Sequence, residues 1–315
     1  MIHHEKYEVA IILINYNSAS FTQECLKSVL KFTVTDLRYQ IVIVDNGSQE
    51  DDFFSLKKYV DLENRTNMQL IRSNINLGFG AGNMLGVHYA NADYFAFVNN
   101  DSILKNDCLS LIISKMKINP NFGICGPFAF KENGETLPTL DHFASPAKEI
   151  FGRKLLEKWN PKIYPNRKIK YSEPQQGQFI AGSFMVVRAA DFNAVGGFDT
   201  NLFLYYEETD LCKRLAKINK SAVLIPDAEF IHFHGVSTPK TIAIKIELKI
   251  SFLYIIRKHY GYIWYLLLLN KLRFQYFVKS IFRPKYWQLF FVLLMGAPLS
   301  KSLKTRQKIN SLSIL

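Results

Sequence analysis

Acidic residues nearly disappear from the last quarter of the chain. Thirteen Lys/Arg follow Thr241 against a single acid, Glu247. That segment therefore carries +12, the formal charge of all 315 residues, and leaves the first 240 neutral. A uniformly basic body that would bind nucleic acid is excluded, and no nucleic-acid partner is expected. A neutral body with a cationic, aromatic-rich end fits an anionic membrane surface instead. Cysteine is also scarce. Cys25, Cys108, Cys125 and Cys212 are widely spaced and form neither a CxxC pair nor a His/Cys cluster, which excludes a disulfide framework and a zinc-ligand pattern. They are expected to be buried thiols in a reducing compartment. A long hydrophobic run is missing from this basic segment too: its longest uncharged stretch, Tyr286 to Ser300, contains Gly296 and Pro298 and falls short of the ~20 apolar residues that span a bilayer. The opening MIHHEKYEVAIILINYN has acids ahead of its apolar run and predicts no secretory leader. The expected location is cytoplasmic, peripheral at the inner face of the cell membrane. Internal repeats and low-complexity segments are absent.

What is present is a folded composition, 48% hydrophobic and 14% aromatic. The first 130 residues alternate apolar runs with helical patterns. Strands are predicted at Val9 to Ile14, Gln40 to Asp45, Met68 to Ser73, Tyr94 to Asn99 and Phe122 to Phe130, with helices at about 19–32, 51–61, 80–91 and 106–118. Continuous apolar strands separated by helices imply an α/β fold with a mostly parallel sheet covered on both faces. Residues 131–176, rich in Pro, Lys, Glu and Asn, are expected as a long and partly mobile excursion across the surface. The block from Gly177 predicts a strand, a short helix, a Gly-rich turn and a helix from about Glu207. SAVLIP and AEFIHF predict two further short strands.

In a parallel sheet, ligands sit at the carboxyl ends of strands. Those ends read Asn15-Tyr16-Asn17, Asp45-Asn46-Gly47-Ser48, Asn74-Ile75-Asn76-Leu77-Gly78 and Asn99-Asn100-Asp101. Each alone is an ordinary turn composition; their shared edge is the signal. Asp101 could hold a divalent ion against phosphate oxygens, since Mg²⁺ or Mn²⁺ often uses one or two protein carboxylates and takes its other ligands from the substrate. The glycines of NLGFGAGN fail the dinucleotide fingerprint because Asn83 stands where its last Gly belongs. They suit a close backbone approach to a nucleotide or a strand. Glu207-Glu208-Thr209-Asp210 puts three acids into a first helical turn, where the helix dipole favours them. The neighbouring VGGFDTNLFLYY is apolar enough to raise a carboxyl pKa and make a base. His232 and His234 alternate on a strand and share a face, available to a metal or a diphosphate.

In order, IILINYNS, IVIVDNGS, NLGFGAGN, FVNND, GSFMVVRAADFNAVGGFD, YYEETDLCKR and HFHGVST resemble family 2 glycosyltransferases, in particular their bacterial rhamnosyltransferase-like branch, over about Val9 to Thr238. The resemblance implies a GT-A catalytic domain over 1–240, with a nucleotide-binding half at 1–130 and an acceptor and base half at 177–240. It also implies a UDP- or dTDP-linked sugar donor, a Mg²⁺ or Mn²⁺ ion and inversion at the anomeric carbon. Asp45 matches the nucleobase contact; Asn15, Tyr16, Asn17, Asn76, Gly78, Asn83 and Asn100 fall in the nucleotide region. Asp101 and His232 match metal and diphosphate positions. Glu208 stands at the customary base position beside Glu207, and Gly182, Ser183, Asp210 and His234 belong to the acceptor and diphosphate region. The first acid of the usual DxD-like motif is replaced, giving Asn99-Asn100-Asp101.

This reading predicts transfer of a hexose or deoxyhexose, rhamnose first, to a growing and polyprenyl-linked cell-surface glycan. Two other classes fit less of the chain. A sugar-phosphate nucleotidyltransferase usually has a Gly-rich basic loop after its first strand, where Asn15-Tyr16-Asn17-Ser18 stands. A non-catalytic membrane-bound scaffold would account for the altered acidic motif. The segment 241–315 is expected to be helical; it could lie among headgroups, pack on the catalytic domain or form a homodimer interface.

Overall fold

A computed structural model describes residues 6–233 and 241–309. In chain order the elements are β1 (Tyr7–Asn15), α1 (Ala19–Phe32), β2 (Tyr39–Asp45), α2 (Glu50–Glu63), β3 (Met68–Arg72), α3 (Gly78–His88), β4 (Ala92–Asn99), β5 (Ser102–Leu104), α4 (Cys108–Ile118), β6 (Phe122–Phe130), β7 (Thr136–Leu137), β8 (Leu140–Asp141), α5 (Pro146–Phe151), α6 (Arg153–Trp159), β9 (Gln175–Gly177), β10 (Phe179–Ile180), β11 (Phe184–Arg188), α7 (Ala189–Ala194), α8 (Glu207–Lys217), β12 (Ser221–His232), α9 (Ile242–Tyr260), α10 (Tyr262–Phe282) and α11 (Trp287–Leu294). The main sheet runs β3-β2-β1-β4-β11-β6-β12-β5. β3, β2, β1 and β4 are parallel, as are β6 and β12, while β11 runs antiparallel between β4 and β6.

Both faces of the sheet's centre are covered because β1, β2 and β4 are nearly continuous apolar runs. Val9, Ile11 and Leu13 of β1 face Leu26 of α1, Leu56 of α2 and Ile112 of α4. Ala10 and Ile12 face the opposite layer, with Phe192 of α7 and Leu211 and Leu215 of α8. Side chains alternate across a strand, so the run Val9 to Leu13 serves two cores.

Three features depart from the sequence reading. β12 is one strand rather than two: its register against β6 jumps between Ile225 and Glu229, around Pro226, which has no N–H to give to a ladder. β5 was not foreseen, because three residues carry no readable periodicity. Residues 131–176 are not a bare excursion; they hold β7, β8, α5, α6 and β9 and bury Leu140, His142, Ala144 and Leu156.

The basic C-terminal segment is helical. α9 and α10 form a hairpin at Gly261, whose φ of +89° suits a residue without Cβ. Ile246, Ile250, Leu253 and Ile256 of α9 build a third apolar cluster with Leu268, Leu272 and Tyr276 of α10 and Leu289 and Leu293 of α11. Ala144 and Tyr206 of the preceding chain join it. Among the described residues no helix is long and apolar enough to cross a membrane.

Candidate active site

The strand register brings the polar tips to one level: Asn15 pairs with Asp45, Asp45 with Arg72, and Ile14 with Asn99. Behind them lies a buried polar network. Asn15 is fully buried, and its Nδ2 lies 3.0 Å from Asp45 Oδ1, 3.1 Å from Ser48 Oγ and 2.8 Å from Asp52 Oδ2. Thr22 Oγ1 donates to Asn15 Oδ1 at 2.8 Å, and Asn100 Nδ2 donates to Ser18 Oγ and Thr22 Oγ1 at 2.7 and 2.8 Å. Asp45, also fully buried, accepts from Ser48 N and faces Arg72 Nε at 3.6 Å; burial raises its carboxyl pKa against those partners. Tyr16 and Asn17 stand exposed at the mouth, Asn17 in the left-handed region (φ 51°) that Asn tolerates.

The glycine loop has a structural use. At Gly78, with φ +79°, a Cβ would come within 2.1 Å of the Phe203 carbonyl oxygen, and Phe79 N donates to that oxygen at 2.9 Å. The loop thus holds the chain entering α8. Asn46 Nδ2 donates to Asn76 Oδ1 and to the Gly78 carbonyl, both at 3.1 Å, while Leu77 N donates to Asn46 Oδ1. Asn83 is buried and donates to Phe79 O at 3.0 Å. Asn46 was visible in the DNGS tip, yet its bridging role needs Asn76 and Gly78, some thirty residues away, and no sequence pattern shows it. Asp52, which closes the network around Asn15, had no sequence signal.

The segment entering β11 joins the strand-four tip to α8, because β11 is antiparallel. Phe184 opposes Val98, so the residues before β11 arrive at the carboxyl end of β4. Asn99 N donates to Ser183 O at 2.9 Å, beside Asp101. A Cβ on Gly182 would stand 3.9 Å from Glu208 Oε2. The Gly182–Ser183 segment is therefore flanked by the strand-four tip on one side and the acid of α8 on the other. β5 pairs Ser102 with His232, which puts His232 Nε2 3.2 Å from Asp101 Oδ1. His234 lies outside the described residues. A carboxylate and an imidazole side by side at the strand ends suit a divalent ion that takes its remaining ligands from phosphate and water. Among the described residues no cluster of three or more His, Cys, Asp or Glu could hold a metal ion by itself.

The two glutamates differ. Glu207 is 2% exposed, with its Cγ 3.4 Å from where a Gly80 Cβ would be; burial and the neighbouring Glu208 hold its carboxyl well above the usual range. Glu208 is half-buried and opens toward Gly182, and burial lifts its pKa to about 7. Tyr205 and Tyr206 enter the helix with φ of 75° and 72°, a rare conformation for bulky residues that the packing around Phe203 must hold in place.

Asp210, expected in the acceptor region, is fully buried and takes Arg214 Nε at 2.8 Å, Lys258 Nζ at 2.7 Å and His259 Nε2 at 2.8 Å. Two of these partners come from α9, so Asp210 fastens the base helix to the C-terminal hairpin. Despite burial, the imidazole and the two cations hold its carboxyl far below the usual range. The depressed pKa adds stability above the unfolded value of ~3.9, and that contribution drains away as pH falls below it. Asp210→Ala is expected to cost about 3 kcal/mol at neutral pH, with the difference from wild type shrinking toward pH 3; urea unfolding at both pH values measures it.

A hollow of about 510 Å³ among Lys6, Glu8, Arg38 and Asp93 lies at the opposite edge of the sheet and has no part in this arrangement.

Comparison with known proteins agrees with the geometry. The profile of Glycosyl transferase family 2 matches residues 10–196. The rhamnosyltransferase WbbL of Escherichia coli is 27% identical over 259 residues, covering 79% of this chain and 93% of that protein. The N-acetylglucosaminyl-diphospho-decaprenol L-rhamnosyltransferase of Mycobacterium tuberculosis is 24% identical, covering 80% and 85%. Among solved structures, a mannosyltransferase from Pyrobaculum calidifontis in complex with GDP-Man and Mn²⁺ aligns with a TM-score of 0.57 at 11% identity, over 95% of this chain and 88% of that one. With a parallel sheet whose polar tips share one edge and a family profile spanning more than half its length, the chain belongs to glycosyl transferase family 2 and is a glycosyltransferase of the GT-A fold.

Proposed function

We propose that the enzyme transfers a hexose or deoxyhexose, rhamnose first, from a dTDP- or UDP-linked donor to a polyprenyl-linked glycan at the inner face of the cell membrane, with inversion. The observation that supports this most is the Gly182–Ser183 segment, with the strand-four tip that leads into Asp101 on one flank and the half-buried acid Glu208 on the other. The relatives add the sugar and the acceptor class, since both are named as rhamnosyltransferases and one acts on a diphospho-decaprenol substrate.

Tyr16, Asn17 and Asn76 line the nucleotide side, while Asn15, Asp45 and Asn100 act behind them by fixing the strand tips and Asn83 ties the first turn of α3. Asp101 and His232 would hold Mg²⁺ or Mn²⁺, which when bound offsets the charge of the diphosphate. Glu208 takes the proton of the acceptor hydroxyl. The freed oxygen forms a bond to the anomeric carbon from the face opposite the nucleotide, the bond from that carbon to the diphosphate oxygen breaks, and the nucleoside diphosphate leaves with the electron pair. Fixed geometry at Gly182 and the strained entry to α8 orients the base.

The outward side of α10 and α11 is apolar and aromatic, with Ile263 and Phe274 each 73% and Phe282 79% exposed. Interspersed Lys and Arg make it suited to an anionic bilayer. Purified protein is expected to release dTDP or UDP from one of a panel of nucleotide sugars when Mn²⁺ and a membrane lipid extract are supplied, and to float with phosphatidylglycerol vesicles at low salt. Release from every donor at the uncatalysed rate would sink the transfer reading. Failure to float, with a concentration-dependent dimer by light scattering, would reassign the apolar face to a second copy of the chain.

A further inference from the structure

The C-terminal hairpin holds a group of lysines that the reaction above does not use. Lys245 Nζ donates to Tyr286 Oη at 3.0 Å, and Lys279 Nζ lies 5.1 Å from the centre of the same ring. Lys249 Nζ stands 5.6 Å over Phe252, and Lys271 Nζ donates to the Glu149 carbonyl at 2.6 Å. Lys245, Lys249 and Lys279 are half-buried rather than waving in water. Burial pulls the Lys249 pKa down, Glu149 pulls it back up, and Lys279 and Lys271 push it down further. Cations gathered at this density in partial burial repel one another, so the arrangement favours an anion among them.

Its position is informative. On the inner side, Phe252 packs on Tyr206 with ring centroids 5.9 Å apart, and the Tyr206 hydroxyl lies within electrostatic reach of both Glu149 and Glu208. On the outer side, Tyr286 is followed by Trp287, whose ring meets Phe277 at 6.0 Å at the start of the exposed aromatic face. The lysines therefore stand between the base and the apolar surface. An acceptor with a sugar hydroxyl at one end, a diphosphate in the middle and an isoprenoid at the other has its parts in the same order.

We propose that Lys245, Lys249 and Lys279 cradle the diphosphate of an isoprenoid-diphosphate-linked acceptor, its sugar toward Glu208 and its chain along α10 and α11. This assignment rests on the lipid-linked-acceptor reading above. It is distinct from the donor diphosphate, which belongs at Asp101 on the strand tips. It also differs from general headgroup attraction, because Lys249 sits against Phe252, behind the exposed face.

The test measures binding of geranylgeranyl diphosphate to the full chain by tryptophan fluorescence, with excess dTDP and Mn²⁺ filling the donor site. Lys249→Gln/Lys279→Gln is expected to weaken that binding about tenfold or more, the effect of losing two charge-assisted contacts. Binding of geranylgeraniol, which lacks the diphosphate, should not change, and Lys249→Arg/Lys279→Arg should retain affinity. Inorganic pyrophosphate should compete with geranylgeranyl diphosphate on the wild type. Equal affinity of the wild type and the Gln variant overturns the cradle alone. No binding to the wild type, together with full transfer to a lipid-free glycoside, overturns the lipid-linked acceptor itself and the cradle with it.

Discussion

Glu208→Gln lowers glycosyl transfer by about 10²–10⁴-fold, the usual worth of a positioned general base, while nucleotide affinity stays within about twofold because the amide keeps the shape of the acid. The control is Glu207→Gln. Glu207 is buried, and burial with the neighbouring Glu208 holds its carboxyl well above the usual range; it does not open toward Gly182 as Glu208 does, and an uncharged amide of the same shape suits its surroundings, so this variant retains most of its activity. The same assignment predicts a pH profile for the wild type. Burial raises the Glu208 pKa to about 7, with Asp141 pushing the same way and Lys148 opposing. A base must be ionised to accept a proton, so kcat/KM rises about tenfold per pH unit below 7 and levels off above it. Loss of that rising limb in Glu208→Gln, with whatever residual rate remains, would identify the group. Equal loss from both Gln variants would instead point to a structural role for the pair.

The parts of the molecule readable from sequence were those whose signal is local. The strands ending at Asn15, Asp45 and Asn99 announce themselves as apolar runs bounded by turn residues, and α1 falls at 19–32 as its periodicity predicts. Gathering of the tips at one edge follows from parallel pairing alone. Antiparallel β11 is different. Its sequence, FMVVR, says strand but nothing of direction, and direction decides whether Gly182 and Ser183 meet the β4 tip or the far end of the sheet. The partner of His232 was similarly hidden, since it depends on three residues of β5. Sharing a helical turn with Glu208 makes Asp210 look like an acceptor-side acid. Its actual partners, Lys258 and His259, stand 48 and 49 residues later, where no spacing rule reaches. The charge of the C-terminal segment is plain in the sequence, whereas the inward turn of Ile250, Leu272 and Leu289 is not: amphipathic helices show two faces without saying which one is covered.

Asp101→Ala is expected to reduce turnover by about 10²–10³-fold, the scale of removing a group that stabilises developing charge, and to abolish the dependence of dTDP binding on Mn²⁺ in calorimetry. The two readouts separate the chemistry from the fold. The backbone of Asp101 is held by a main-chain bond, Phe233 N donating to its carbonyl at 3.0 Å, and the substitution leaves that bond in place. The side chain touches His232 at 3.2 Å, so its loss is felt first where a cation would sit. Asp101→Asn sharpens the test, since it keeps volume and hydrogen-bonding capacity but removes the charge that a hard divalent ion requires. His232→Ala, which leaves the carboxylate, should cost less, roughly tenfold in metal affinity, as for a weaker ligand or orienting group. If Asp101→Asn keeps both turnover and the Mn²⁺ response, the charge at the strand-four tip is not what meets the diphosphate. The pairing of that tip with Glu208 across Gly182 would then need another explanation.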